Sequence, residues 1–297
     1  MHFRDRHRIA DLGVGVGARP PHYGALLEHA GATLAHGEVD PSRAATTASR
    51  IGWLEVISEN FMGDGGRPRA SLDALSAKYP IVTHGVSLSI GGTDPLDPAY
   101  LSRLRRLCDR LNPPWFSDHL CFTRAGGVDL HDLLPLPMTR ETIVHVSERI
   151  RRVVDVIGRP FALENVSSYL TYSQDEMPEW AFLSEIAERA DCGILFDVNN
   201  VFVSAKNHGF DPHTYLDSVP HDRILQFHLA GHTDRGTHLL DTHGTPVSDP
   251  VWSLYRDTLR KVGKVSTLIE WDEDIPPFET LQREVEKATL IRSEVFR

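Results

Sequence analysis

The sequence predicts an α/β fold, a single (β/α)8 TIM barrel spanning residues 1–297 as one domain. Two observations carry this expectation. Short apolar, β-rich runs alternate with longer helical patterns along the whole chain, and there are eight such runs. Parallel strands covered on both faces read as consecutive apolar positions rather than as an alternation. Strand–helix repetition implies right-handed crossovers and a parallel sheet, and eight units of about 250 residues close most naturally into a barrel.

In chain order the expected strands are Leu12–Val16, Trp53–Ile57, Ile81–His84, Trp115–His119, Phe161–Glu164, Gly193–Val198, Ile224–Leu229 and Ser266–Trp271. Between them, Leu96, Leu101, Leu104, Leu107 and Leu111 form one apolar helical stripe. Thr139 is placed to cap a helix that runs through Ile157 and ends at Gly158. Glu179–Ala190 and Val251–Val262 repeat the pattern, and a last helix is expected from about Phe278 to Ile291. An open doubly wound sheet would show a Gly-rich phosphate loop, yet Gly13–Gly17 has no G-x-G-x-x-G register opening a helix. Two stretches depart from the repeat. Ala30–Ala48 reads as a loop insertion, and Thr233–Asp249 as a long polar loop of the kind that carries function on barrels.

Thirty-one basic against 41 acidic residues give a net charge of −10, and only five of the basic residues are Lys. Such a chain repels phosphate backbones, so no nucleic-acid partner is expected. Cys108, Cys121 and Cys192 form no CxxC pair, which suits a reducing compartment rather than a disulfide framework. The N-terminus lacks the apolar stretch of a signal peptide, and no run of about 18 apolar residues predicts a membrane span. A cytoplasmic protein is expected.

The strand ends carry the chemistry. His84, His119, Glu164, Asp197, His228 and Glu270 finish six consecutive strands at intervals of 35, 45, 33, 31 and 42 residues. In a barrel those ends converge on one mouth. The loop after the seventh strand adds Asp241 and His243, whose side chains point alike on an extended segment. A lone His at a strand end is more often a satisfied structural residue than a ligand, and the same holds for a lone carboxylate paired with Arg. Six in succession are much harder to dismiss. Imidazole plus carboxylate without thiolate suits iron, manganese or zinc, and eight or nine such groups imply two or three metals with shared carboxylates. Unpaired, so many buried charges would be too costly.

Asn200 and His232 stand evenly between ligand and orienting neighbour. Glu55, Glu59 and Asn60 could line the mouth, although an ordinary polar exterior accounts for them equally well. Asp118 is expected to orient a neighbour or cap a turn. His2, His7, His29, His36, His145, His208, His213 and His221 are expected to be solvated, while His22 and His131 stay undecided. The cysteines read as core residues.

With these residues in place, the chain resembles the multinuclear non-heme iron-dependent oxidases. The resemblance rests on LEVISENFMGDGGRP (54–68), THGVSLSIGG (83–92), SDHL (117–120), DLLPLP (132–137), LENVSSY (163–169), FDVNNVFVSAKNHGFDP (196–212), FHLAGH (227–232), DTHG (241–244) and IEWD (269–272). It covers about Asp11 to Ala288, and the Ala30–Ala48 stretch is its least typical part. It implies a xylose-isomerase-like barrel holding two or three irons as mixed Fe(II)/Fe(III), with O2 as co-substrate. It also implies oxidation of a cysteine in a ribosomally made precursor peptide that a separately encoded partner protein helps to present. Carried over by motif, the ligands would be His84, His119, Glu164, Asp197, His228, Asp241, His243 and Glu270, with Asn200 a further candidate. Asp241, His243 and His228 would stand closest to the chemistry.

Three rival readings use the same mouth. Apurinic-site endonucleases bind zinc on a similar barrel but need a basic face. Sugar isomerases typically place a Lys at the site, and here the one Lys near a strand end, Lys206, follows its motif by several residues. A non-catalytic, metal-dependent peptide-binding module would need no turnover.

Overall fold

Eight parallel strands close into a barrel in the computed structural model, which describes residues 2–34 and 50–297. The barrel strands are Val14–Gly17, Leu54–Ile57, Ile81–Gly85, Phe116–His119, Phe161–Glu164, Gly193–Asp197, Ile224–Leu229 and Ser266–Ile269. Each pairs with its successor in the chain, and the eighth closes on the first through Val14 opposite Thr267 and Val16 opposite Ile269. All eight expected strands are present, Phe161–Glu164 and Ile224–Leu229 at their expected bounds and the others with an end shifted by one or two residues. The largest changes are at the first strand and at the eighth, whose ladder stops at Ile269 so that Glu270 stands just past it.

The helices lie outside the barrel. Pro98–Leu111 begins where Asp97 accepts a hydrogen bond from the Ala99 amide at 2.8 Å, and it buries Leu101, Leu104 and Leu107. Arg140–Ile157 begins at Thr139, as expected, and ends at Gly158 in the left-handed region (φ 72°). Glu179–Ala190 matches its expected bounds, while Asp249–Val262 starts earlier and Phe278–Val295 runs one turn further than read. Among the described residues, no helix is long and apolar enough to cross a membrane.

The inside of the barrel is built in layers, a consequence of the two-residue period of a strand. Trp53, Val82, Trp115, Ala162, Leu195 and Leu268 form an apolar plug with Phe3, and Trp53 and Trp115 meet edge to face at 6.3 Å. Two residues further along their strands stand Glu55, His84, Ser117, Glu164, Asp197 and Glu270, all buried. The same backbone alternation that fills the floor with apolar groups therefore aims the polar groups into the barrel above it.

The structure corrects three readings. Residues 30–34 continue the helix Tyr23–Leu34 rather than forming a loop, and the rest of the Ala30–Ala48 stretch lies outside the described residues. Within Thr233–Asp249, two short strands pair, Thr233 with Leu240 and Asp234 with Leu239. After the fourth barrel strand an unforeseen hairpin, Phe122–Ala125 with Val128–Leu134, turns at Gly126 and Gly127, both at positive φ. Its Gly-Gly turn was a readable hairpin signal.

Ile150 is fully buried on the inner face of its helix. Ile150→Ala should cost about 2–5 kcal/mol and Asp97→Ala about 1 kcal/mol, each read from urea unfolding followed by circular dichroism.

Candidate metal centre

Three groups of possible metal ligands lie side by side at the C-terminal end of the barrel: His84, His119 and Glu164; Glu164, Asp197, His228 and Glu270; and His243, Glu270 and Asp272. Within each group the ligand atoms lie within 4.8 Å of one another. Glu164 belongs to the first two groups and Glu270 to the last two, so the three are continuous.

In the first group, His84 Nε2 and His119 Nε2 stand 3.3 and 3.2 Å from the same oxygen, Glu164 Oε2. Their other nitrogens are engaged: His84 Nδ1 meets Ser117 Oγ at 2.9 Å, and His119 Nδ1 meets the Gly85 carbonyl at 3.1 Å. A carbonyl can only accept, so His119 carries its proton on Nδ1 and turns the Nε2 lone pair inward. Burial holds both rings below the ordinary histidine range, which keeps them neutral.

The middle group is centred on His228, which faces it with Nδ1. That atom lies 2.8 Å from Glu270 Oε2, 3.4 Å from Glu164 Oε1 and 4.0 Å from Asp197 Oδ2. Asp197 ends its strand and caps the next helix, accepting from the Asn200 amide at 2.7 Å through Oδ1 while Oδ2 faces the cluster. In the third group, His243 Nδ1 lies 3.2 Å from Glu270 Oε2 and 3.3 Å from Asp272 Oδ2, and its Nε2 meets Asp241 Oδ1 at 2.7 Å. His243 sits at φ 46°, unusual outside glycine and costing of order 1–3 kcal/mol. Its backbone is pinned by the Gly231 carbonyl and by the Asp272 amide.

The electrostatics are those of a crowded anionic site. Burial pushes Glu164 up to about 7 against the pull of His228, and raises Asp197 well above the usual carboxylate range. Burial would also lower His228 and His243, but the carboxylates around them outweigh it, Glu270 leading at His228 and Asp241 at His243, and hold both well above the ordinary range. Those two rings in turn keep Glu270 well below its usual range despite its burial. Glu164 Oε2, Asp197 Oδ2, Asn200 Oδ1, His228 Nδ1, His243 Nε2 and Glu270 Oε2 are buried without a well-formed hydrogen bond. Orphaned donors and acceptors of this kind, converging from several strands, fit cations in number and in chemistry.

All eight strand-end and loop residues expected at the mouth are there, and Asn200 lines it. His232 is turned away: its Nδ1 meets Asn199 Oδ1 at 2.7 Å, and Asn199 Nδ2 donates to Asp241 Oδ1 at 2.8 Å. Glu59 braces the loop after the third strand, accepting from the Val86 and Ser87 amides and from the Tyr100 hydroxyl. Asp118 accepts from the amides of Leu88 and His119, the orienting role expected of it. Asn60 and His131 are exposed. His22 is buried, its Nε2 on the Pro276 carbonyl, and three histidines expected to be solvated also meet backbone carbonyls: His145 at Gly92, His208 at Ser168 and His221 at Leu216. His36 lies outside the described residues.

Sequence reasoning missed Arg19, Asp272 and the depth of Glu55. Arg19 follows the first strand, pairs with Asp272, stands 3.9 Å from Glu270 and donates from Nε to the Trp271 carbonyl. Burial alone would lower its pKa, and the two carboxylates raise it instead. Glu55 is buried beneath His228 rather than at the surface. Its position two residues past Trp53, in step with the other inward residues, was the available signal. Over the centre opens a cleft of about 490 Å³, walled by Ile57, Val86, Leu133, Val166, Tyr169 and Leu240.

A profile of the RiPP precursor modification enzyme MbnB/TglH/ChrH family, enzymes that act on precursors of ribosomally made, modified peptides, matches residues 13–293. The chain belongs to this family. A UPF0276 protein of Anaeromyxobacter sp. (strain Fw109-5) is 51% identical over 282 residues, covering 95% of this chain and 93% of that one. A UPF0276 protein of Caulobacter vibrioides (strain NA1000 / CB15N) is 46% identical over 276 residues, 93% and 92% of the two chains. The barrel is xylose-isomerase-like. Among solved structures, D-psicose 3-epimerase from Clostridium cellulolyticum H10 superposes with a TM-score of 0.61 at 11% identity, over 96% of this chain and 99% of that one. Endonuclease IV from Thermus thermophilus does so with 0.58 at 14%, over 94% and 98%. At these identities the likeness is one of fold.

The shared carboxylates should show in metal stoichiometry. In equilibrium dialysis against Co(II), His119→Ala should lower occupancy at one group only, whereas Glu164→Ala should lower it at two. Equal losses from both variants would mean that Glu164 does not bridge.

Proposed function

We propose that this protein is a multinuclear non-heme iron-dependent oxidase that uses O2 to modify a cysteine of a ribosomally made precursor peptide. The observation that supports this most is the continuous row of three donor sets, two of them fully buried, joined through Glu164 and Glu270 beneath an open cleft in a member of a peptide-modifying family. His84, His119 and Glu164 would hold one iron, and Glu164, Asp197, His228 and Glu270 a second. His243, Glu270 and Asp272 would hold a third, with Asp241 at the other nitrogen of His243 and Asn200 able to add an oxygen. Two or three occupied sites in mixed Fe(II)/Fe(III) states fit this donor set, which is rich in imidazole and carboxylate and free of thiolate. Iron, when bound, supplies the redox capacity for O2-dependent chemistry and a cation to stabilise a substrate thiolate.

The chain's own residues do the rest. The apolar wall of Ile57, Val86, Leu133, Val166 and Leu240 excludes water from a short peptide segment lying in the cleft. Asn199, held by His232, fixes Asp241, and Asp241 orients His243. Asp241 and His243, which line the cleft, are therefore placed nearest the reacting cysteine, with His228 buried beneath them. None of the protein's own cysteines competes, because Cys108, Cys121 and Cys192 are all buried. The peptide would be presented by a separately encoded partner protein in the cytoplasm.

A zinc or manganese hydrolase or a sugar isomerase on the same barrel is the alternative. The lysine expected of an isomerase is not in place: among the described residues no Lys lines the cleft, and Lys206 lies over the Phe202 ring instead.

Metal analysis of protein purified without added metal or chelator should find two or more irons per chain. O2 uptake should then follow addition of a cysteine-containing peptide encoded beside the gene. His84→Ala or Glu270→Ala should lose both iron and turnover. Stoichiometric zinc with no iron retained on reconstitution, or either variant keeping full activity, would overturn the proposal.

A further inference from the structure

We infer that Glu55 is a positioning residue that decides which nitrogen of His228 faces the metal centre. The inference rests on the metal-centre reading above but not on the identity of the metal or of the substrate.

Glu55 lies in the second barrel strand, faces inward and is 3% exposed. It belongs to none of the three groups of possible ligands. Both of its carboxylate oxygens stand 3.2 Å from His228 Nε2, the nitrogen that points away from the cluster. His84 and His119 show the centre Nε2, whereas His228 shows it Nδ1, as His243 does in the third group. An imidazole can offer a lone pair at Nδ1 only if its proton sits on Nε2, and a buried carboxylate facing Nε2 provides the acceptor for that proton.

The carboxylate is itself held in place. Gln226 Nε2 donates to Glu55 Oε2, and Trp115 Nε1 donates to Gln226 Oε1 at 2.8 Å. The indole has only a donor to give, so it fixes the Gln226 amide with its NH2 toward Glu55. The chain from Trp115 through Gln226 and Glu55 to His228 thus anchors the centre to the apolar floor. Gln226 Nε2 also approaches His228 Nε2 at 2.7 Å. Were that contact the governing one, Nε2 would accept, the proton would sit on Nδ1, and His228 would donate to Glu270 rather than bind a cation. Glu55 would then have no part in the centre. The buried charge decides between the two arrangements, because a carboxylate binds a proton donor more strongly than a neutral ring nitrogen does.

Co(II) titration of the metal-free full chain, followed by dialysis and by its visible absorption, tests the inference. Glu55→Ala should weaken binding of one Co(II) by about 10- to 100-fold and change that ion's spectrum, while Co(II) held by His84, His119 and Glu164 binds as in the wild type. Glu55→Gln keeps the shape and an acceptor oxygen but loses the charge, and should fall between the two. Glu55→Ala that binds every equivalent with wild-type affinity and spectrum would overturn the inference. If Glu55→Ala does not fold, Glu55→Gln decides by the same criterion. A wild-type protein that takes up no Co(II) would overturn the metal centre and this inference together. Normal Co(II) uptake that is indifferent to Glu55 would overturn only the latter.

Discussion

Glu164 and Glu270 each face two sets of partners, and the energetics of the whole mouth follow from that sharing. A buried carboxylate is costly unless charge of the opposite sign reaches it. With only protons to balance them, these carboxylates divide unevenly: Glu270 stays ionised between His228 and His243, while Glu164 and Asp197 are pushed toward the neutral form. The imidazoles divide as well. His228 and His243 hold protons among the carboxylates, whereas burial keeps His84 and His119 neutral. A proton satisfies one lone pair and a multivalent cation satisfies several. The atoms left without a hydrogen bond are therefore the ones a cation would collect.

Such a cluster holds its shape only if something stiff lies beneath it. The strand period supplies this, since His84, Glu164, Asp197 and Glu270 each stand two residues above an apolar plug residue of their own strand. Trp115 serves both layers, packing against Trp53 below and donating to Gln226 above. Further support comes from outside the barrel, where Glu59 and Asp118 tie down the loop after the third strand. The strained backbone of His243 is held on both sides by carbonyl and amide partners. Precision at the centre is thus distributed over contacts that are not themselves ligands.

The eight strands and the polar residues ending six of them were legible in the sequence because two periodicities coincide, that of the βα unit and that of the strand. What escaped notice depended on the pleat or on distant partners. Glu55 lies within its strand rather than at the end, so its depth appears only when the inward register is traced from Trp53. His22 and His145 look like surface histidines locally, and their carbonyl partners, Pro276 and Gly92, are 254 and 53 residues away. Arg19 and Asp272 meet across the closure between the first and last strands, 253 residues apart, and no local pattern announces a partner at that distance. The Gly126–Gly127 hairpin was a different case: its turn was readable, but its exposed strands lack the apolar pattern that marked the others.

The division of labour between strands and loops explains how one barrel can serve unlike chemistries. An epimerase and an endonuclease share this scaffold at 11% and 14% identity, so the barrel itself specifies little beyond a place where side chains converge. In this chain the strands lay the floor of the cleft, with His84, His119, Glu164, Asp197, His228 and Glu270 at or next to their ends. The walls come from elsewhere. Asp132 and Leu133 reach the cleft from the hairpin after the fourth strand, and Leu240, Asp241, Thr242 and His243 from the segment after the seventh. Asp241 and His243 belong to both wall and centre. The segment that shapes the cleft therefore also supplies candidate ligands, and a change in its conformation would alter the cleft and the cluster together.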